Sequence, residues 1–493
     1  MNSQPFVTPT RRLYLLLTGP QWGLAFTVGA LLAAGSWQWY SFISIWIGVT
    51  LFLVGLIATH LHYAARFLVP FPHFAVLVVC LQYILAAWFA LYHPTNDPVH
   101  FMGDRIGEYY AFAGQAVVLT AVCWFASLIR LPLQRLGQAH LTDPSPGLLV
   151  EIDVIGLVGV VGLILGNLVK VPALAFVFVL FSNLRFLSVF ARMLLAAPGW
   201  SWRVALVLGL EIMFAAESAM FHNLLLWSLW TFGIWLYRFR PRLQTTLAAL
   251  LLALLLLPAL QEAKWQLRYS TSDDAEIFED TVNPSIFDKT IRWIRFLPPS
   301  FYETITGKLD EGFLSEMGAR YNQGWILNRV MQWVPLREPF AAGETIYGAL
   351  EAAALPRLIA SKKATSGGQE NMARFAGLEL VENTSMNLGF AGEMYANFGM
   401  VGGVIGCGVY ALCFGAFFRL ICRLASRNAL WWATVPYVFY AAIKAEDDIA
   451  YVLNWTAKSA MVLIAVTLLM PNWRRALFPG KPVPTMDAIK AHF

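Results

Sequence analysis

Seven cations stand close together in one polar stretch of the sequence, and their chemistry suits a phosphate ligand. Arginine binds phosphate through a planar pair of donors, whereas lysine acts as a point charge. Pro356 and Arg357 end an apolar helical pattern, which gives Arg357 a defined direction. A pyrophosphate site is one interpretation of the stretch, and a solvated loop surface is the other. The seven residues are Arg320, Arg329, Arg337, Arg357, Lys362, Lys363 and Arg374.

A carboxylate follows these cations in the glycine-rich run 389–403. Glu393 stands just before an apolar block, with Tyr395 and Asn397 beside it. A carboxylate at the entrance to a membrane could accept a proton from a substrate hydroxyl. It could equally form an ion pair at the interface, and the glycines of the run also permit close packing of membrane helices.

The elements that must position these residues are apolar blocks. Of the 493 residues, 58% are hydrophobic and 13% are charged, whereas soluble domains carry about 25% charged residues. Because one membrane crossing needs about 20 apolar residues, we predict an all-α polytopic membrane protein with about twelve transmembrane helices. The blocks are 20–36, 39–59, 74–92, 109–129, 149–169, 171–191, 203–220, 222–237, 243–260, 399–420, 429–446 and 449–470.

Four parts follow from these blocks. They are nine membrane helices in 1–260, a large and partly helical segment at 261–398, three helices in 399–470, and a tail at 471–493. Amphipathic periodicity within the large segment predicts helices at 286–297, 311–334 and 343–354. The first should end at Pro298 and Pro299, and it could lie along the membrane surface.

Basic residues concentrate in alternate short loops, as the positive-inside rule requires of cytoplasmic loops. The pattern holds when the N-terminus is inside and when 203–237 is divided into two helices at His222. The acidic turn 446–448 and the segment 261–398 then lie outside. We therefore predict that both termini are cytoplasmic and that 261–398 is periplasmic; it is called the outer segment below.

Polar side chains also interrupt the blocks, where they are costly and suggest a function. Arg185 could pair with Glu211 or Glu217 across helices. Such groups line a polar cavity or ion pathway, or else they fix the packing of helices. Another set shares one face of the last helix: Asp447, Tyr451, Asn454 and Lys458.

The sequence contains no Walker, G-x-G-x-x-G or H-E-x-x-H motif and no Cys/His spacing that is typical of a metal site. We therefore expect no nucleotide, metal or other cofactor, and no nucleic acid partner. Any transfer chemistry must use a substrate that is already activated.

Four short motifs resemble those of the bacterial Wzy-type polymerases of oligosaccharide repeat units. They are the run 320–329 (RYNQGWILNR), the run 343–347 (GETIY), Leu355-Pro-Arg357 with Lys362 and Lys363, and the run 392–399 (GEMYANFG). The resemblance covers the outer segment and the start of the tenth helix, and it implies a many-helix GT-C-like arrangement in the bacterial inner membrane. It also implies an enzyme that transfers a glycan from undecaprenyl pyrophosphate to a sugar hydroxyl of a second lipid-linked unit.

The resemblance further implies roles for individual residues. Arg320, Arg329 and Arg357 would hold the pyrophosphate, with assistance from Lys362 or Lys363. Glu393 would act as the base or position the acceptor. Tyr347, Tyr395 and Asn397 would contact sugar or phosphate. Implied partners are the lipid-linked oligosaccharide, membrane lipid and a chain-length regulator. The alternatives are a ligase-like transferase that uses the same donor, a transporter or lipid flippase, and an assembly scaffold.

Overall fold

The computed structural model describes most of the chain beyond residue 39. The described ranges are 40–65, 68–92, 98–102, 105–128, 143–169, 172–218, 222–242, 286–308, 321–354, 368–380 and 386–479, with scattered positions in 131–136, 244–266 and 313–319. The first predicted block, 20–36, lies outside these residues, and the ninth, 243–260, is described only in part.

Every regular element of these described residues is a helix, as the apolar blocks predict. Six helices are long and apolar enough to cross a membrane, which confirms a helical membrane protein at that level: α2 (Phe71–Leu91), α3 (Ile106–Ala126), α4 (Pro146–Leu168), α5 (Leu174–Leu194), α12 (Gly389–Ala425) and α14 (Ile449–Leu469). The others are α1 (Tyr40–Ala65), α6 (Trp200–Ser218), α7 (His222–Phe239), α8 (Ile286–Thr306), α9 (Gly324–Trp333), α10 (Glu344–Ala354), α11 (Gln369–Ala376), α13 (Thr434–Val438) and α15 (Pro471–Leu477).

Helices α4 and α5 form an antiparallel pair whose contact is lined by glycine. A Cβ atom on Gly159 would lie 2.3 Å from the backbone nitrogen of Arg185. Across the same contact, Ser188 donates a hydrogen bond of 2.7 Å to the carbonyl of Ile152. Small residues let the two backbones approach closely, and membrane helices associate through such packing because lipid provides no hydrophobic drive between them.

Ion pairs join several helix ends at one end of the bundle, which we call the arginine end. Asp153 of α4 binds Arg192 of α5 and Arg203 of α6, the latter with a nitrogen–oxygen distance of 2.9 Å. Arg238 of α7 donates to the carbonyl of Leu194 at 2.8 Å. These contacts bring together the loops that the charge pattern assigns to one side of the membrane.

The opposite end holds four carboxylates and is called the carboxylate end: Glu393, Glu446, Asp447 and Asp448. There, Oε2 of Glu393 near the start of α12 accepts a hydrogen bond of 2.8 Å from the backbone nitrogen of Ile449. At the arginine end, Asn428 donates to the carbonyl of Ala476 at 2.5 Å. The starts of α12 and α14 therefore lie together, as do their ends, and the chain between them must return across the bundle.

This returning chain, 428–448, is called the crossing segment, and the prediction of one membrane helix over 429–446 was wrong. It consists of two 3₁₀ turns, Ala429–Ala433 and Ala441–Ile443, on either side of the short helix α13, and nearly all its side chains are buried. A continuous apolar run indicates burial, but periodicity cannot tell whether protein or lipid surrounds it. Here protein surrounds it.

Side chains of neighbouring helices satisfy backbone groups where the crossing segment is irregular. The indole nitrogen of Trp455 donates to the carbonyl of Tyr437, and the hydroxyl of Tyr83 donates to the carbonyl of Ala445, each at 3.0 Å. Irregular backbone at membrane depth is tolerated only where protein or enclosed water supplies such partners.

The outer segment differs from its prediction at two of three helices. Helix α8 continues through Pro298 and Pro299, so the predicted break there was wrong. Each proline withholds one backbone donor, and the helix continues without these two hydrogen bonds. The predicted helix 311–334 is interrupted at Asn322 and Gln323, before α9, and the described positions from 313 to 321 are helical. Helix α10 agrees with the predicted 343–354.

Candidate functional site

A π-helical turn in α2 faces the crossing segment at the carboxylate end. The turn covers Leu81–Leu85, and π-helical turns frequently occur at functional sites. Nε2 of Gln82 donates to the Glu446 carboxylate at 3.2 Å, beside the bond from Tyr83 to Ala445. The irregular turn thus contacts the irregular segment directly.

Gly389 marks the point where three segments meet. Its φ is +71°, a conformation that favours glycine, and a Cβ atom there would lie 2.4 Å from the Tyr83 hydroxyl and 2.7 Å from the Ala445 carbonyl. A larger residue would separate α12 from both α2 and the crossing segment. Glycine at this position is therefore required for these three segments to pack together.

Two of the carboxylates cap the start of α14. Glu393 is 1% exposed and accepts the Ile449 amide, while Oδ1 of Asp448 accepts the Tyr451 amide at 2.6 Å. The first amides of a helix have no partner within the helix and favour negative charge. Glu393 therefore holds α14 against α12, whereas Asp448 caps α14 from the residue that precedes it.

A third carboxylate, Asp447, faces a buried lysine. Nζ of Lys444 lies 3.8 Å from Oδ2 of Asp447 and 4.7 Å from the centre of the Tyr440 ring, where a cation is favoured. Burial raises the pKa of Asp447 to about 7; Lys444 opposes this effect, and Glu446 and Asp448 add to it. Burial and the two neighbouring carboxylates therefore favour the protonated form of Asp447.

The fourth carboxylate, Glu446, connects the crossing segment to α7. Its Oε1 lies 3.2 Å from Nε2 of His222, which forms an ion pair with it when protonated. One turn further along α7, Trp227 stacks on Tyr440 with 4.8 Å between ring centres. Nearby, Arg185 and Glu211 form the buried ion pair across helices that the sequence predicts as a possibility. The side chain of Glu217 lies outside the described residues.

The outer segment is fastened to the start of α12 by Asn397. Its amide donates to the Thr345 hydroxyl at 2.7 Å, and its oxygen accepts the Gly343 amide at 2.9 Å. Backbone bonds from Ala341 to Ala396 and from Ala342 to Asn397, both 3.0 Å, continue the contact. The loop before α10 therefore lies one helical turn from Glu393.

A cation that the sequence analysis did not single out also lies here. Arg105, at the start of α3, donates to the carbonyl of Met331 in α9 at 3.0 Å and pairs with Glu108. Both charges act on the phenol of Tyr395, whose ring packs against Phe112 with 5.2 Å between ring centres. The only sequence signal for Arg105 is that it is a base in an otherwise acidic loop.

The predicted site residues divide into three groups. Glu393, Tyr395 and Asn397 lie together at the start of α12, buried under the loop before α10. Tyr347 is 72% exposed, and Arg329 is half-buried, with its Nε donating to the carbonyl of Ala376 at 3.2 Å. The third group lies outside the described residues and stays a prediction: Arg320, Arg357, Lys362 and Lys363.

The predicted polar face of α14 is divided between two environments. Asp447, just before the helix, belongs to the carboxylate end. Lys458 lies over the ring of Phe176 in α5, 4.8 Å from its centre, and Tyr451 contacts the same ring edge-on. The part of the face that carries Tyr451 and Lys458 therefore packs against α5.

Comparisons with protein-family models, with curated proteins and with solved structures found no match for this chain. The resemblance to repeat-unit polymerases therefore rests on the short motifs alone. The functional argument must be made from the arrangement of the residues at the carboxylate end.

Proposed function

We propose that the protein is a glycosyltransferase of the bacterial inner membrane that polymerises lipid-linked oligosaccharide units. One observation carries the proposal: the loop before α10, in the segment that bears the predicted phosphate-binding cations, is hydrogen-bonded to Asn397 of α12, one turn from the buried Glu393. The segment that carries the predicted cations is therefore joined to the end of the bundle that carries the carboxylates.

The proposed reaction needs both kinds of group. The acceptor hydroxyl oxygen forms a bond to the anomeric carbon of the donor sugar, and the bond from that carbon to undecaprenyl pyrophosphate breaks. The pyrophosphate leaves with negative charge, which Arg320, Arg329 and Arg357 stabilise, with Lys362 or Lys363 assisting. The hydroxyl proton passes to a carboxylate, and the lipid tails keep both substrates near the site.

Glu393 suits a positioning role better than that of a free base, because its carboxylate is buried and already accepts the Ile449 amide. Glu393→Gln keeps an acceptor for that amide and should retain most activity, whereas Glu393→Ala should lose it. Loss of activity in both variants with normal folding would instead assign Glu393 as the base.

The proposed orientation places the arginine end in the cytoplasm and the carboxylate end in the periplasm. Support comes from the contacts of Arg192, Arg203 and Arg238, which bring two basic loops to the end where α4 begins. Both termini are then cytoplasmic, and the substrate, an undecaprenyl pyrophosphate-linked oligosaccharide, meets the outer segment. A chain-length regulator is a proposed partner by the same resemblance.

Deletion of the gene, followed by electrophoresis of the surface glycan, tests the reaction class. We expect single repeat units on an otherwise normal acceptor. A glycan-free acceptor with accumulated lipid-linked polymer would indicate a ligase instead. Loss of all outward-facing lipid-linked sugar would indicate a flippase.

Complementation with variants tests the site. Arg357→Ala and Asn397→Ala should reproduce the deletion pattern at normal protein level, the latter by releasing the loop before α10. Arg423→Ala, an exposed arginine at the other end of α12, is the matched control and should polymerise normally. Normal polymers from both site variants would refute the assignment.

Transport is the second candidate, and the crossing segment favours it. Transporters bind substrates and ions at interrupted membrane segments, and here such a segment carries buried Lys444 and Asp447. Purified protein in liposomes distinguishes the two functions. Translocation of a lipid-linked sugar that Asp447→Asn abolishes would favour transport, whereas polymer formation from added lipid-linked units would favour transfer.

A further inference from the structure

Helix α8 of the outer segment presents three different surfaces, which follow one another around its axis at about 100° per residue. One surface is buried on the bundle: Thr290, Trp293, Leu297 and Ser300. The next is exposed and apolar: Ile291, Ile294, Pro298, Tyr302 and Ile305. The last is polar and at least partly exposed: Asp288, Arg292, Arg295 and Glu303.

The buried surface fixes the depth of α8 in the bundle. Trp293 packs with Ala215 near the end of α6 and with Leu224 near the start of α7, so α8 lies across the end of this helix pair. The contact between His222 and Glu446 places that end at the carboxylate end. The same end carries the start of α14, a helix that is long and apolar enough to cross a membrane.

The exposed apolar surface is a continuous stripe, because its members are three or four residues apart. Ile291, Ile294 and Ile305 are 49%, 51% and 56% exposed, and Tyr302 is 62% exposed. Removing apolar surface from water is favourable by about 25 cal/mol per Å² of surface. A continuous apolar stripe is therefore more stable when lipid or protein covers it. Two arginines flank it, as on helices that bind anionic headgroups.

We propose that α8 lies in the membrane–water interface at the carboxylate end, with the apolar stripe among acyl chains and the polar surface towards water. The order of the three surfaces fits this boundary, since the stripe lies between the face on the bundle and the face towards water. Tyr302 lies within the stripe, and tyrosine favours the headgroup region. Lipid is the occupant that also suits Arg292 and Arg295, whose long side chains can reach headgroups while their stems cover the stripe.

Site-directed labelling tests the proposal without reference to glycosyl transfer. Cys413 is exposed, whereas the other four cysteines are buried, so Cys413→Ser provides a background for single labels. Ile294→Cys and Ile305→Cys report on the stripe, and Arg292→Cys and Glu303→Cys are matched controls on the polar face. Each variant carries a bimane label in nanodiscs of phosphatidylethanolamine and phosphatidylglycerol, after size-exclusion chromatography has verified its fold.

Lipids with a doxyl group on the acyl chain should quench labels at 294 and 305 at least threefold more than labels at 292 and 303. Aqueous iodide should show the reverse order. Equal access of iodide to all four positions would overturn the proposal, because the stripe would then face water. Protection of 294 and 305 from both quenchers would also overturn it, because protein would then cover the stripe.

Discussion

The α4–α5 pair and the crossing segment are both apolar and belong to one bundle, but different interactions hold them. Between α4 and α5, regular helices satisfy their own backbone groups, and contact depends on missing side-chain volume at positions such as Gly159. In the crossing segment the backbone is irregular, and distant side chains such as Tyr83 and Trp455 satisfy its carbonyls. The α4–α5 pair is stabilised by close packing, and the crossing segment is stabilised by specific hydrogen bonds.

This difference suggests where each region tolerates change. A close-packed pair responds to added volume, because the two backbones cannot move apart without losing contact along their length. A segment held by hydrogen bonds responds to the loss of single polar atoms and to pH, because its partners are few and some carry charge. A function that requires movement or proton exchange is therefore more compatible with the crossing segment than with the α4–α5 pair.

The largest expected effect is at the ion pair between Arg185 and Glu211, which links α5 to α6 beside the crossing segment. Glu211→Ala leaves a buried guanidinium uncompensated and should reduce the free energy of unfolding by about 3–5 kcal/mol. The fraction of protein that remains folded after heating in detergent, assayed by size-exclusion chromatography, measures the loss. The double variant Arg185→Met with Glu211→Leu should recover most of it; no recovery would show that the pair has another role.

The next largest effect is expected for Gly159→Ala, which tests the close packing of the α4–α5 pair. The new Cβ would approach the Arg185 nitrogen to 2.3 Å, so we expect a loss of about 1–3 kcal/mol from overpacking. Gly209→Ala in α6 is the control, since no atom lies within 4 Å of its Cβ position, and it should be neutral or slightly stabilising. Equal melting temperatures for the two variants would contradict close packing between α4 and α5.

Hydropathy and charge in the sequence predicted the α4–α5 pair well. The bounds of α4 and α5 lie within a few residues of the predicted blocks 149–169 and 171–191, because membrane helices of regular length follow from composition alone. The possible pairing of Arg185 with Glu211 was also predicted, since charged groups inside a membrane need partners.

The crossing segment could not be predicted in the same way. Its apolar composition fits a membrane helix, and the features that break it are long-range bonds to residues hundreds of positions away. At the candidate site, the sequence predicted Glu393, Tyr395 and Asn397, which lie together on one short run. It did not predict Arg105, Gln82 or Tyr83, because their contribution depends on tertiary contacts made by a π-helical turn and a loop.

A smaller effect, dependent on pH, is expected at Asp447 in the crossing segment. Its pKa is raised from 3.8 to about 7 in the folded protein, so the folded state binds the proton more tightly than the unfolded state. Ionisation of this group therefore removes stability as pH rises from about 4 to about 7. The melting temperature of Asp447→Asn should therefore fall less between pH 5 and pH 8 than that of the unmodified protein, while its offset at any one pH also contains the loss of the carboxylate that faces Lys444. A difference that is independent of pH would contradict the assignment.

Glu344 in the outer segment provides a comparison of opposite sign. Hydrogen bonds from Arg374 lower the pKa of Glu344 below its usual 4.5, so its contribution is present at neutral pH and is lost as pH falls below 4.5. Glu344→Gln should therefore melt slightly lower than the unmodified protein at pH 7 and equally at pH 3. The effect is small because the pair is exposed to water.

The variant Tyr83→Phe isolates a single polar partner of the crossing segment. The change removes the hydroxyl that donates to the Ala445 carbonyl and keeps the ring that packs against Phe390. A buried carbonyl without its donor costs about 1 kcal/mol or slightly more, and thermal unfolding in detergent should detect this as a shift of a few degrees at most. Tyr347→Phe, on a side chain that is 72% exposed, is the matched control and should melt unchanged. If the two variants behave alike, the crossing segment is held by packing, and the contrast with α4 and α5 fails.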